Sequence, residues 1–267
     1  MKKLMFAAAV AAGFVALGDG IQSQNTVGYT APTLTRDTLQ NTGVCFMNIG
    51  GTDIDIQSIK ALNGTDEAAD GSFTMRWFNA GKYDYAVWSV PLYDPADPET
   101  ELDYNGWGDL DEMCPITKTF AAGQWFLIQS TAASPTVQVS GELVTSDTTR
   151  PQYAVSVVKD TLVSTGNPFP VACDIQSIVP QANGAAAADG SFTMRWFNAG
   201  KYDYAVWSVP LYDPADPETE LDYNGWGDLE EMCPITKTFG VGEGFLIQTT
   251  ATNPTLLFPN PLYVAGE

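Results

Sequence analysis

Carboxylates dominate the chemistry this sequence offers. Between Asp94 and Glu112 eight Asp and Glu occur without a single Lys or Arg. Within that stretch Glu101, Asp103, Asn105, Gly106, Asp109 and Glu112 fall at positions 1, 3, 5, 6, 9 and 12 of a calcium loop of the EF-hand kind, and Glu220, Asp222, Asn224, Gly225, Asp228 and Glu231 repeat the pattern. Oxygen donors at that spacing suit a hard cation, so Ca2+ is the one cofactor the sequence suggests. Glu rather than Asp at position 1 counts against it. So do Pro95, Pro98 and Pro115, which leave no room for flanking helices. The competing reading is a solvated acidic loop that keeps the chain soluble.

Aromatic rings are the second resource. Trp77, Trp88 and Trp107, with Trp196, Trp207 and Trp226, could stack on sugar rings. Trp77 shares the alternation face of Phe73 and Met75, which assigns it to a core. Trp107 sits between Gly106 and Gly108, so Trp107 and its counterpart Trp226 are the candidates for exposed, ligand-binding rings.

No catalytic centre is legible. The chain has no His, which removes His-dependent triads, His metal sites and the commonest general acid–base group. A glycosidase-type carboxylate pair stays open only because so many acids are present. Four Cys allow three full pairings, and at least one disulfide stands beside the alternative of buried, reduced thiols. Zinc is disfavoured by the lack of CxxC spacing. With 32 Asp and Glu against 12 Lys and Arg, nucleic acid is a poor partner.

What must position these groups is a repeat. Asp70–Phe120 matches Asp189–Phe239 at a constant offset of 119, with Asp111 against Glu230 the sole difference in 51 positions. Looser similarity extends to both sides. RDTLQNTG at Arg36–Gly43 answers KDTLVSTG at Lys159–Gly166, and GQWFLIQ at Gly123–Gln129 answers GEGFLIQ at Gly242–Gln248. Inside a copy the apolar period is two. Phe73, Met75 and Trp77 alternate with Thr74 and Arg76, and Tyr83, Tyr85 and Val87 alternate with Asp84 and Ala86, which predicts two strands. Asn79-Ala80-Gly81-Lys82 between them predicts a hairpin turn, Gly81 supplying a positive φ. Short strands are also expected at Trp125–Gln129 and Thr136–Val139, and at Val27–Thr35 and Tyr153–Val158, where the copies open. Ile54–Leu62 and Asp174–Val179 alone suit short helical turns. The expected fold is mainly β, with two tandem β-sandwich or small-barrel modules.

The N-terminus adds an export signal. Lys2 and Lys3 precede an uncharged run of fourteen residues, Leu4–Leu17, too short to span a bilayer comfortably and followed by small residues at the positions of a cleavage site. The organisation is therefore a signal peptide over 1–20, one module over 21–147 and a second over 148–267, with the boundary in the polar stretch Ser146–Pro151. No later apolar stretch has the length of a spanning helix, so the expected location is periplasm, cell surface or medium.

GNPFPVACDIQSI at Gly166–Ile178, the Trp-containing hairpin, the Gly225-Trp226 pair and GEGFLIQ together resemble a recurring β-domain of secreted bacterial proteins. In that family NPFP-type and GEGFLI-type segments bracket each domain, often in tandem. The first copy departs from it, with Met47-Asn48-Ile49-Gly50 where Asn167-Pro168-Phe169-Pro170 stands and Trp125 where Gly244 stands. The resemblance implies export and β architecture; the family has no assigned activity and lends no site. The reading that results is a non-enzymatic structural or adhesive protein of the envelope or extracellular space, partnered by polysaccharide or other envelope proteins. Carbohydrate binding through exposed Trp is the alternative, and a glycoside hydrolase comes third.

Overall fold

Period-two alternation becomes strand wherever it is strongest. The computed structural model describes residues 27–48, 51–89, 92–94, 97–102, 105–143, 151–208, 211–213, 216–221, 224–231, 233–261 and 263. The expected signal peptide and the boundary stretch 146–150 lie outside them. The fold is mainly β, with 54% strand and 3% helix. Phe73–Asn79 and Lys82–Trp88 pair antiparallel, Asn79 facing Lys82 across a two-residue turn. Ala80 and Gly81 in that turn have φ of 47° and 93°, the left-handed pair that matches the twist of a hairpin. The same hairpin recurs at Phe192–Asn198 and Lys201–Trp207. The expected helical turns shrink to single 3-10 turns, Ile56–Ser58 and Ile175–Ser177, each capped by an Asp side chain that accepts a backbone N–H.

Each copy contributes one six-stranded sheet. In copy 1 its order is Cys114–Pro115, Trp107–Asp109, Lys82–Trp88, Phe73–Asn79, Trp125–Ser130, Gln40–Gly43; in copy 2 the equivalent strands take the same order. A second sheet is organised around Pro135–Leu143 in copy 1, where Val27–Thr30, Phe46–Met47 and Lys60–Asn63 pair with it. In copy 2 Pro254–Pro259 pairs with Gln152–Ser156 and Val179–Ala182. All strand pairs among the described residues join strands of one copy.

The core is correspondingly divided. One buried cluster includes Ile54, Ile59, Phe73, Met75, Trp88, Trp107, Phe126 and Val137; another includes Ile175, Ile178, Phe192, Met194, Trp226, Phe245 and Leu256. Each such side chain stabilises the fold by roughly 1.5–3 kcal/mol through burial. A third, smaller cluster joins Trp125 and Leu127 to Leu246. It exists because Trp125–Ile128 is apolar on both strand faces and buried throughout. Phe126 and Ile128 turn inward, while Trp125 and Leu127 turn toward the other copy.

This corrects the expected architecture. The sheets are small and antiparallel and follow one another in a propeller-like ring of four, not as two clearly separate sandwiches. The small cluster of Trp125, Leu127 and Leu246 joins the two six-stranded sheets. All four Cys are free thiols, Cys45 and Cys173 buried, Cys114 and Cys233 partly so. No helix among the described residues is long and apolar enough to cross a membrane.

Candidate functional site

The residues expected to bind a ligand are in the core. Trp107 and Trp226 are fully buried, at 0% exposure. Their indole N–H groups donate to the carbonyls of Ile59 (2.8 Å) and Ile178 (2.7 Å). Trp107 also stands edge-on to Trp88, ring centroids 5.3 Å apart. The flanking glycines are buried too, where the sequence suggested an open loop. Trp107 and Trp226 therefore offer no ring face to a sugar, and the exposed-Trp expectation is corrected to a core role.

The acidic stretch is built the same way in both copies. Trp107–Asp109 is a strand paired on both sides, with Trp88 and Val87 across one edge and Pro115 and Cys114 across the other. Its chain is extended, so alternate side chains point apart rather than converging on an ion. Asp109 Oδ1 instead accepts the backbone N–H groups of Asp111 (2.7 Å) and Glu112 (3.0 Å), and Asp228 does the same for Glu230 and Glu231. Asn105 turns to Ser89 and donates to Glu67 (3.2 Å), and Asn224 lies against Ser208. Asp103, Asp222 and the side chains of Glu101 and Glu220 lie outside the described residues. Among the described residues no cluster of three or more His, Cys, Asp or Glu could hold a metal ion. Asn105, Asp109 and Glu112, like Asn224, Asp228 and Glu231, are thus distributed along a strand and turn rather than gathered around a centre.

Two surface hollows among the described residues bear on the site. Beside the acidic turn of copy 2, one of about 560 Å³ is lined by Lys201, Asp203, Tyr204, Asp228, Glu230, Glu231 and their neighbours. Lys201 is paired to Asp203 at 3.2 Å, and the hydrogen bond from Asn198 together with that lysine holds the Asp203 carboxyl below its usual range. Asp84, with Asn79 and Lys82, is its counterpart in copy 1. Local desolvation and the adjacent Glu112 and Glu231 carboxylates push the Cys114 and Cys233 thiols up, which keeps them protonated and poor nucleophiles.

The other hollow is a groove of about 410 Å³ between the copies. Leu39, Arg76, Tyr83, Tyr85 and Leu127 of copy 1 and Phe197 and Tyr202 of copy 2 line it. The Tyr83 and Tyr202 hydroxyls meet in a short hydrogen bond, and burial pushes both phenols up. Tyr85 donates to Asp111 Oδ2 at 2.9 Å, which fixes its ring at the rim. Arg76 is exposed, and no carboxylate among the described residues pairs with it. The groove therefore combines aromatic edges and faces with one free guanidinium. Sequence reasoning missed it because alternation groups Tyr83 and Tyr85 with Val87 as one apolar face, whereas the strand register sets Tyr85 opposite Arg76 and Tyr83 opposite Phe78. Comparison with known families, with curated proteins and with solved structures finds no match for this chain.

Proposed function

We propose that this is an exported, non-enzymatic structural or adhesive protein of the bacterial envelope or extracellular space, built from two tandem modules that each carry a core of their own. One observation carries the reading: among the described residues, Asp and Gln side chains suited to chemistry are engaged by the fold in the same way in both copies. Asp55 and Asp174 cap 3-10 turns, and Asp109 and Asp228 hold the acidic turns. Gln57 donates to the carbonyls of Trp107 and Ile116, both at 2.7 Å, and accepts the Trp107 N–H at 2.8 Å; Gln176 repeats the set. A carboxylate committed to backbone donors has those lone pairs turned to the chain and away from a substrate. Export rests on the Lys2-Lys3 start and the apolar run behind it.

Sedimentation of the purified chain from residue 21 onward, with and without envelope polysaccharide, tests this. Self-assembly, or co-sedimentation with envelope material without turnover of it, is expected; hydrolysis of a glycan panel would overturn it. The carbohydrate reading is favoured by the groove rather than by tryptophan. A Tyr and Arg surface can cover a sugar face and hydrogen-bond its hydroxyls. Retention on a polysaccharide panel that Tyr85→Ala and Arg76→Ala abolish supports it, and retention indifferent to both rules that groove out.

A further inference from the structure

The contacts between the copies are arranged symmetrically with respect to the repeat. Leu127 packs with Leu246, and Tyr83 meets Tyr202; both pairs are related by the repeat offset. The glycines cross over in the same manner. A Cβ added to Gly43 would lie 2.8 Å from the carbonyl oxygen of Gly242, and one added to Gly123 would lie 2.6 Å from that of Gly166. Gly43 is the counterpart of Gly166, and Gly123 of Gly242, so these are one contact seen twice. Asn41 donates to the Gly244 carbonyl at 2.8 Å, while its counterpart Ser164 donates to the Trp125 carbonyl at 3.4 Å. Reciprocity of this kind is the mark of an isologous, two-fold interface.

At one position the reciprocity fails. Where copy 1 has Trp125, copy 2 has Gly244, and the indole occupies the space over that glycine. A Cβ at position 244 would fall 2.3 Å from Trp125 Cδ1. The Trp125 N–H completes the seat by donating to the Phe245 carbonyl at 2.7 Å. Two copies with Trp would contend for one volume, and two with Gly would leave an indole-sized void. Overpacking and cavities of that size are both strongly unfavourable.

We infer that the outer face of each six-stranded sheet is a self-recognition surface whose partner is a second copy of the module, and that Trp125 against Gly244 restricts pairing to copy 1 with copy 2. Lateral faces of the same module are thereby kept from pairing like with like.

The test uses the full chain carrying a protease site between residues 144 and 150, cut after folding, diluted until the halves exchange, and then reconcentrated. Native mass spectrometry is expected to show only mixed pairs of one half with the other. Like-with-like pairs in statistical proportion, or halves that never re-pair, would overturn the inference. Trp125→Gly and Gly244→Trp are each expected to weaken pairing of the cut halves by about 100-fold or more. The exchanged variant Trp125→Gly/Gly244→Trp is expected to recover part of that loss, since Gly244 faces Gly166 as Trp125 faces Gly43, the remainder reflecting the Thr165 carbonyl oxygen 2.8 Å from a Cβ at 244. An exchanged variant as weak as the poorer single one counts against the key; the mixed-pair measurement on the wild-type chain decides the question even where a variant fails to fold.

Discussion

The two copies share a block that is all but identical and differ in what surrounds it, and the structure separates the effects of each. Phe73–Asn79 and Phe192–Asn198 have the same alternation of buried and exposed residues. They also have the same hairpin register and the same indole-to-carbonyl bond behind Trp107 and Trp226. Outside the block the surroundings diverge. Lys60 lies 5.9 Å from the Trp88 ring in copy 1, where Val179 stands in copy 2. Cys45 and Phe46 are buried in copy 1, while Phe169 stands edge-on to Tyr153 in copy 2. Lys237 pairs with Glu243 at 2.6 Å only in copy 2, because copy 1 has Gln124 there. Local pattern determines the strands; the flanks determine what each sheet meets.

The sharpest way to break this comparison is to remove the shared core ring. Trp107→Ala and Trp226→Ala should each cost about 3–5 kcal/mol in urea unfolding, with values for the two copies alike. A difference above about 1 kcal/mol would show that the flanks control even the core of the block. Alkaline unfolding should next distinguish the copies. Burial pushes the Cys45 thiol from 9.0 up to about 12, so the folded state keeps a proton that the unfolded state loses. Stability from this group is intact below pH 9 and falls by up to about 1.4 kcal/mol per pH unit between 9 and 12. The Tyr83–Tyr202 pair adds its own loss above pH 10. Comparing wild type with Cys45→Ala isolates the thiol: the difference in unfolding free energy should shrink with rising pH, and a constant difference would remove the thiol as its cause.

Gln57→Ala and Gln176→Ala should each destabilise by about 1–3 kcal/mol, because the backbone groups of the Trp107 or Trp226 strand are left unpaired. Equal values would place this bridge among the shared features, while a marked inequality would expose a flank effect. The smallest expected change has the opposite sign. Ala80 and Ala199 both have φ of 47°, a left-handed conformation costly for alanine. Ala80→Gly and Ala199→Gly should therefore raise the melting midpoint, each worth about 0.5–1 kcal/mol.

The hairpins, the opening strands and the turn at Gly81 were legible because alternation and turn chemistry act over a few residues. Trp107 is hard to place from sequence for a local reason: Gly106 and Gly108 suggest an open loop, whereas the chain there is a buried strand. The calcium pattern is only partly visible: Asn105, Asp109 and Glu112 lie along a strand and turn, while Asp103 and the side chain of Glu101 fall outside the described residues. The sheet face between the copies did leave a trace. Trp125-Phe126-Leu127-Ile128 lacks the alternation of its neighbours, which signals a strand covered on both sides, but only the folded chain says what covers it.

The pairing of the terminal strands bears on load. In copy 1 Val27 lies opposite Glu142 and Thr30 opposite Val139; in copy 2 Gln152 lies opposite Pro259 and Ser156 opposite Thr255. The first and last strands of each copy are antiparallel, so the two ends through which tension would enter stand side by side at one edge of the ladder. Pulling them apart loads the backbone hydrogen bonds one after another, as in a zipper, instead of all together in shear. A chain so arranged is expected to yield at lower force than one whose terminal strands are loaded in shear.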